Sequence, residues 1–250
     1  MSDKPKKSFR ERLEDQRKDL KKRGKKSDIL FLKDGDTYRV RILNPGPDKE
    51  FIFEVTSFYL GGEVKNVFSP STFGLPCACL EKYEELKASK NADDKKLAKK
   101  LSPRKKSFIL AAIYKDTKGK EIDDEMSGET GKLIQLGSAS VAAEIIDYFL
   151  DTEDWGDFFE KGNGYDFKLG RTGAGKLDTE YTVKPCPKSE VDRKWRGVFD
   201  IEGRVKSILP TYEETQTILE DWLSTATPDE DEDDGPRKPR AKSKDKNRDV

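Results

Sequence analysis

The side chains in this sequence best suited to chemistry are cations that share predicted strands with aromatic rings. Arg39 and Arg41 fall on one face of the alternating segment Tyr38-Arg39-Val40-Arg41-Ile42-Leu43, opposite Tyr38, Val40 and Ile42. Arg104, Lys106, Phe108 and Tyr114 share one side of a later apolar run, with Ile109, Ala111 and Ile113 on the other and Lys105 between the cations. Lys65 and Phe68 bound a short strand, Arg171 and Lys176 flank a glycine-rich turn, and Tyr181 follows it. Cations spaced along a strand can follow a line of phosphates. Flat rings offer unpaired bases a stacking surface, at about 1–3 kcal/mol per base. The same alternation also suits a sheet that is apolar on both faces, with Phe108 and Tyr114 filling a second core layer.

Other chemistries find less support. Gly170-Arg171-Thr172-Gly173-Ala174-Gly175-Lys176 has the spacing of a phosphate loop, but Leu177 stands where a magnesium-ligating hydroxyl is needed. Such a loop must also open a helix, whereas Leu177-Asp-Thr-Glu-Tyr-Thr-Val183 reads as a strand. The segment is therefore predicted to be a β-hairpin tip whose glycines supply positive φ. The sequence contains no histidine, which removes Ser-His-Asp and Cys-His catalysis and histidine-ligated zinc. Cys77 and Cys79 are one residue apart, and Cys186 is the only other thiol, too few for the usual four-ligand structural zinc. Asp93-Asp94 and Asp123-Asp124 sit in polar stretches and read as solvated carboxylates. No catalytic residue, metal ligand or cofactor site is assigned.

The elements that must position these residues lie in the middle of the chain. Of 250 residues, 39% are charged, against about 25% in an average globular domain, and the excess is concentrated at the two ends. The 49 basic and 49 acidic side chains cancel overall, so local fields rather than net charge decide the partners. Residues 1–27 form a basic arm with a predicted helix from Phe9 to Lys22, capped by Ser8 with Glu11 three residues on. Residues 224–250 form a tail in which the acidic block Asp229–Asp234 precedes a basic tract, Arg237–Arg248. No transmembrane run and no secretory h-region is present, which points to the cytosol. Between arm and tail, strands are predicted at Tyr38–Leu43, Glu50–Leu60, Lys65–Phe68, Ser107–Tyr114, Lys132–Leu136, Asp166–Leu169 and Glu180–Val183. Helices are predicted at Cys79–Leu86, Asp93–Leu101, Ser140–Phe149 (capped by Ser140) and Thr215–Leu223. This pattern gives an α+β class: a small OB-fold-like β-barrel core with helical insertions and disordered charged termini.

Several stretches together resemble the phage T4-type single-stranded DNA-binding (helix-destabilising) proteins. They are Phe31-Leu-Lys-Asp-Gly-Asp-Thr-Tyr-Arg-Val-Arg-Ile-Leu43, the Phe51–Leu60 strand, Phe73-Gly-Leu-Pro-Cys-Ala-Cys-Leu-Glu81 and Leu101-Ser-Pro-Arg-Lys-Lys106. Gly164-Tyr-Asp-Phe-Lys-Leu-Gly-Arg-Thr-Gly173 with Tyr181-Thr-Val183 fits the closing hairpin of that family. The resemblance spans residues 28 to 223 and implies an OB-fold core holding single-stranded DNA, with no enzymatic activity. It further implies a basic arm for cooperative self-association along the strand and an acidic tail for phage replication and recombination proteins. The setting would be the cytoplasm of the infected bacterial host, during replication, recombination and repair. Arg39, Arg41, Lys65, Arg104, Lys105, Lys106, Arg171 and Lys176 are then expected at phosphates, and Phe68, Phe108, Tyr114 and Tyr181 at bases.

Two features depart from the family pattern. Zinc-binding members carry a histidine at the end of the second strand, a cysteine before a proline, and a C-x-x-C pair. The corresponding positions here are Phe58, Ser69 and Cys77-Ala-Cys79, so the ion is expected to be replaced by packing, with Phe58 as filler. The tail also ends in basic residues rather than acidic ones. Alternative readings are an RNA-binding or partner-docking adaptor on the same fold, and a nucleotide-dependent enzyme built on Gly170–Lys176. Because the acidic block can compete with DNA for basic side chains, deleting residues 228–250 should tighten binding to oligo-dT in an anisotropy titration. Equal or weaker affinity in the truncated chain would rule that competition out.

Overall fold

The structure, a computed structural model, describes residues 29–61, 66–160, 162–175 and 178–225. The expected arm and its helix, the tail beyond Thr225, Lys65 and Lys176 lie outside the described residues. Ten strands are described. They are β1 (Ile29–Phe31), β2 (Thr37–Ile42), β3 (Ile52–Tyr59), β4 (Asn66–Phe68), β5 (Arg104–Ile113), β6 (Lys132–Gln135), β7 (Asn163–Gly164), β8 (Phe167–Thr172), β9 (Glu180–Pro185) and β10 (Ser189–Glu190). The helices are α1 (Ala78–Ala88), α2 (Ala92–Lys100), α3 (Asp124–Ser127), α4 (Ala139–Leu150), α5 (Ile201–Lys206) and α6 (Tyr212–Thr225).

The sheet is organised around β5. Its residues 104–109 pair with β3 and 111–113 with β2, while 108–111 pair with β6. Ile109 faces both Ile52 and Ile134, and Ala111 faces both Ile42 and Lys132, so β3 and β2 follow one another along one edge with β6 on the other. β8 extends the sheet from β2, β9 from β8, and β4 from β3, all antiparallel; β1 joins β6 in parallel. The order β1-β6-β5-β2-β8-β9 leaves β1 and β9 unpaired with each other, so the α+β expectation holds but no closed barrel forms among the described residues.

Both faces of β5 are covered, and this settles the reading of its rings. Ile109, Ala111 and Ile113 pack in a cluster with Val141, Ala142 and Ile145 of α4. On the other face, Phe108, Leu110 and Ala112 pack with Trp195 and with Ile201 and Val205 of α5. A third cluster lies at the outer ends of β3 and β4, where Phe58 and Val67 meet Cys77, Cys79, Leu86, Ala98 and Leu219 from α1, α2 and α6 and their flanks.

The aspartate pairs lie at the solvent surface as expected and also open helices. Asp123 accepts hydrogen bonds from the backbone N–H of Glu125 and Met126, opening α3. Asp93 and Asp94 occupy the first turn of α2 behind Asn91, and Lys99 and Lys100 its last turn, both favourable to the helix dipole. The cap of α4 is Ser138, which accepts from Val141 N–H; Ser140 is the first-turn neighbour whose hydroxyl lies 2.7 Å from that of Ser138. β1, α3, α5 and the β7–β10 ribbon were not anticipated, being too short or too polar to show periodicity. Phe108 is fully buried and meets Phe68 edge-on at 5.3 Å. Phe108→Ala should therefore destabilise the fold by about 3–5 kcal/mol in urea unfolding; an unchanged midpoint would show that the ring is not a core element.

Candidate nucleic-acid interface

Arg39 and Arg41 share one face of β2, as the alternation requires, but that face is not open. Asp166, fully buried just before β8, receives both arginines: Arg41 Nε at 2.6 Å from one oxygen, Arg39 Nε at 2.8 Å from the other. Tyr114 Oη donates to Asp166 at 3.1 Å, and Ser189 Oγ of β10 donates at 3.0 Å while accepting from Arg41 at 2.6 Å. Arg39 also reaches the Lys118 carbonyl at 2.5 Å, and its guanidinium lies 5.2 Å from the Tyr114 ring centre. A side chain at Gly119 would collide with Arg39, so the 115–120 loop closes over it only because that residue has none. Burial opposes the charge of Arg39, but the hydrogen bond and charge of Asp166 outweigh it and hold the group protonated. Burial pushes the Tyr114 hydroxyl up, and Asp166 adds to the effect. The structure thus places Arg39 and Arg41, expected at phosphates, on a carboxylate rather than on an open face.

Three of the four expected stacking rings are also sealed. Phe108 is 0% exposed, Phe68 8% and Tyr114 9%, so none presents a face to a base. β5 is buried on both sides, and its aromatic residues fill the second layer. The cations at its start are different. Arg104 and Lys105 are exposed and Lys106 is half-buried. Lys105 is paired with Glu54 at 2.9 Å, and the Arg104 guanidinium lies 5.8 Å from the ring centre of Tyr59. Tyr59 is 45% exposed. It escaped the sequence reading because it ends a strand whose earlier members on the same face, Phe53 and Val55, turn inward.

Arg171 and Tyr181 do come together. They are directly opposed across β8 and β9, with the guanidinium 5.9 Å from the ring centre, and they line a cleft of about 610 Å³. The cleft also takes in Ser138, Ser140 and Glu144 from α4 and its cap, and Gly175 and Thr179 from the hairpin. Tyr181 lies against the bare backbone of Gly137, where any side chain would overlap its ring. The β8–β9 pairing runs through Arg171–Tyr181 and Thr172–Glu180, so the glycine-rich segment is a hairpin leading to a strand, and the helix a phosphate loop requires is not there. A larger groove of about 770 Å³ lies between residues 45–53 and α5. Its rim carries Asp48, Glu50, Asp200 and Glu202 against Lys49 and Lys206, and both lysines already contact Glu202. That rim repels a polyanion.

Phe58, Ser69, Cys77 and Cys79 converge at one buried place. Phe58, Cys77 and Cys79 belong to one cluster, and all four residues are at most 2% exposed. The hydrogen bond between the thiols holds Cys77 down and pushes Cys79 up, with burial adding to the second effect and Ser69 aiding the first. Cys79 Sγ also lies 3.9 Å from the Thr215 carbonyl of α6. Two thiols, a hydroxyl and a phenyl ring do not fit a four-ligand zinc site. Among the described residues no group of three or more His, Cys, Asp or Glu gathers as metal ligands.

A family model described as gp32 DNA binding protein like matches residues 40–221. The chain belongs to that family. No curated protein matches it. Membership carries a DNA-binding function, and the matched span includes every strand from β3 to β10, half of β2 and the larger part of α6. Among the described residues no helix is long and apolar enough to cross a membrane. In this gp32-like chain the buried carboxylate is the first test of the site's framework. Asp166→Ala leaves two buried guanidiniums without their counter-charge and should cost about 3–5 kcal/mol in urea unfolding. A variant as stable as the parent would show that the network is dispensable.

Proposed function

We propose that this chain is a non-enzymatic protein that coats single-stranded DNA during phage DNA replication, recombination and repair. The observation that carries the reading is the Tyr59–Arg104 pair, a 45%-exposed ring with a guanidinium 5.8 Å from its centre. A base freed from pairing can stack on Tyr59 while the adjoining phosphate meets Arg104, with Lys105 and Lys106 next along the same strand. Stacking of this kind needs an unpaired base, since in a duplex both faces are already occupied by neighbours. Arg171 and Tyr181 repeat the combination of ring and cation at the hairpin end of β8–β9 and form a second contact for the strand.

Family membership supports DNA as the ligand, and the two pairs support the single-stranded form. The basic arm, residues 1–27, is assigned to self-association along the strand. The tail, residues 224–250, is assigned to replication and recombination partners, in the cytoplasm of the infected host. Tyr59→Ala should weaken oligo-dT binding by about 1–3 kcal/mol, while Tyr59→Phe keeps most of it. Arg104→Gln should lower the slope of log affinity against log salt by about 0.7, the value for one phosphate on a single strand. Parental oligo-dT affinity in Tyr59→Ala would remove this ring from the interface.

A further inference from the structure

Across β2, β8 and β9, three cations stand in one row. Arg39 is directly opposite Lys168, and Lys168 is directly opposite Lys184. Arg39 shares the Asp166 carboxylate with Arg41, whereas Lys168 and Lys184 are exposed and have no carboxylate partner among the described residues. Like charges directly opposed on neighbouring antiparallel strands repel one another and weaken the sheet. The cluster beneath adds to the field, because Asp166 answers two guanidiniums with one carboxylate and leaves an uncancelled positive charge. The 115–120 loop, held on this face through the Lys118 carbonyl, contributes exposed Lys118 and Lys120. Its one carboxylate, Asp116, accepts the backbone N–H groups of Lys118 and Lys120 and stays ionised, so it offsets one of these two lysines.

Among the described residues this face also lacks an open ring. Tyr114 is sealed beneath it, and the other positions that β2, β8 and β9 present on this side are Thr37, Arg41, Gly170, Thr172, Glu180 and Thr182. Arg171 and Tyr181 point to the opposite side of the same two strands, as their alternation dictates. We propose that the Lys168–Lys184 face is a second polynucleotide-binding site, which grips a sugar–phosphate backbone without stacking its bases. Such a site has no requirement for unpaired bases and accepts duplex and single strand alike. It rests on the DNA-binding reading above but not on Tyr59, and it gives one molecule the means to hold a second strand beside the one it coats.

The test is anisotropy of the full chain with a labelled mixed-sequence duplex and with labelled oligo-dT, over a range of salt. In Lys168→Glu/Lys184→Glu the duplex salt slope should fall by about 1.8, twice the value for one phosphate on a duplex. Duplex affinity should fall about tenfold or more. Tyr59→Ala should leave the duplex slope unchanged, and reversing Lys95 and Lys96 on α2 should also leave it unchanged, which separates a local site from the general field. Lys168→Glu alone replaces a repulsive cross-strand pair with an attractive one, so its thermal midpoint should rise while its duplex affinity falls. Parental duplex slope and affinity in the double variant, or no duplex binding by the parent at low salt, would overturn the proposal. A null result for Tyr59→Ala on oligo-dT would instead count against the stacking site alone.

Discussion

One carboxylate holds the working half of this molecule together. Asp166 is reached by Arg39 and Arg41 from β2, Tyr114 from the end of β5 and Ser189 from β10, so four side chains from three separate parts of the chain converge on two oxygens. Moving such charges out of water costs several kcal/mol per ion, and their attraction repays it only when every donor and acceptor is matched. Here the match is close to complete, with backbone carbonyls of Gly164, Ser189 and Lys118 taking remaining guanidinium N–H groups. The network therefore fixes geometry: the β7–β10 ribbon and the 115–120 loop each have one place to sit. The lysines of the outer face inherit their positions from it.

Burial of β5 on both sides is the other constraint, and it decides which aromatic residues remain free. A strand in the middle of the sheet, covered by α4 on one face and α5 on the other, has no surface to offer a ligand beyond its charged first turn of residues. The ring–cation pairs accordingly lie at strand ends, where Tyr59 and Arg104 leave the sheet and where Tyr181 and Arg171 approach the hairpin tip. The helical cluster around Phe58 follows the same physics. A fully buried phenyl ring occupies space beside two thiols, and the contacts it makes are those of a packed core.

Much of the fold was legible because it is written in local pattern. Period-two alternation located β2, and the residue after Lys176 together with the strand that follows distinguished a hairpin from a phosphate loop. The α+β class followed from the mixture of elements, although closure of a barrel depends on how distant strands meet and has no local signature. The site was less legible for the same reason. Arg39 and Arg41 look like surface cations until a carboxylate 127 and 125 residues away is brought beside them. Phe108 and Tyr114 alternate with apolar neighbours whether the second face is solvated or covered, and only the placement of α5 tells the two cases apart. Lys168 and Lys184 are unremarkable singly; their meaning lies in a register that no single segment encodes.

The manner in which β1 joins the sheet has a mechanical consequence. It is the outermost strand, only three residue pairs hold it to β6, and it directly follows the basic arm. Tension transmitted through the residues before Ile29 is therefore borne first by the weakest ladder at that edge. Its release would leave β5, β2 and β8 paired as before. Parting three residue pairs would thus free β1 while the rest of the sheet kept its register.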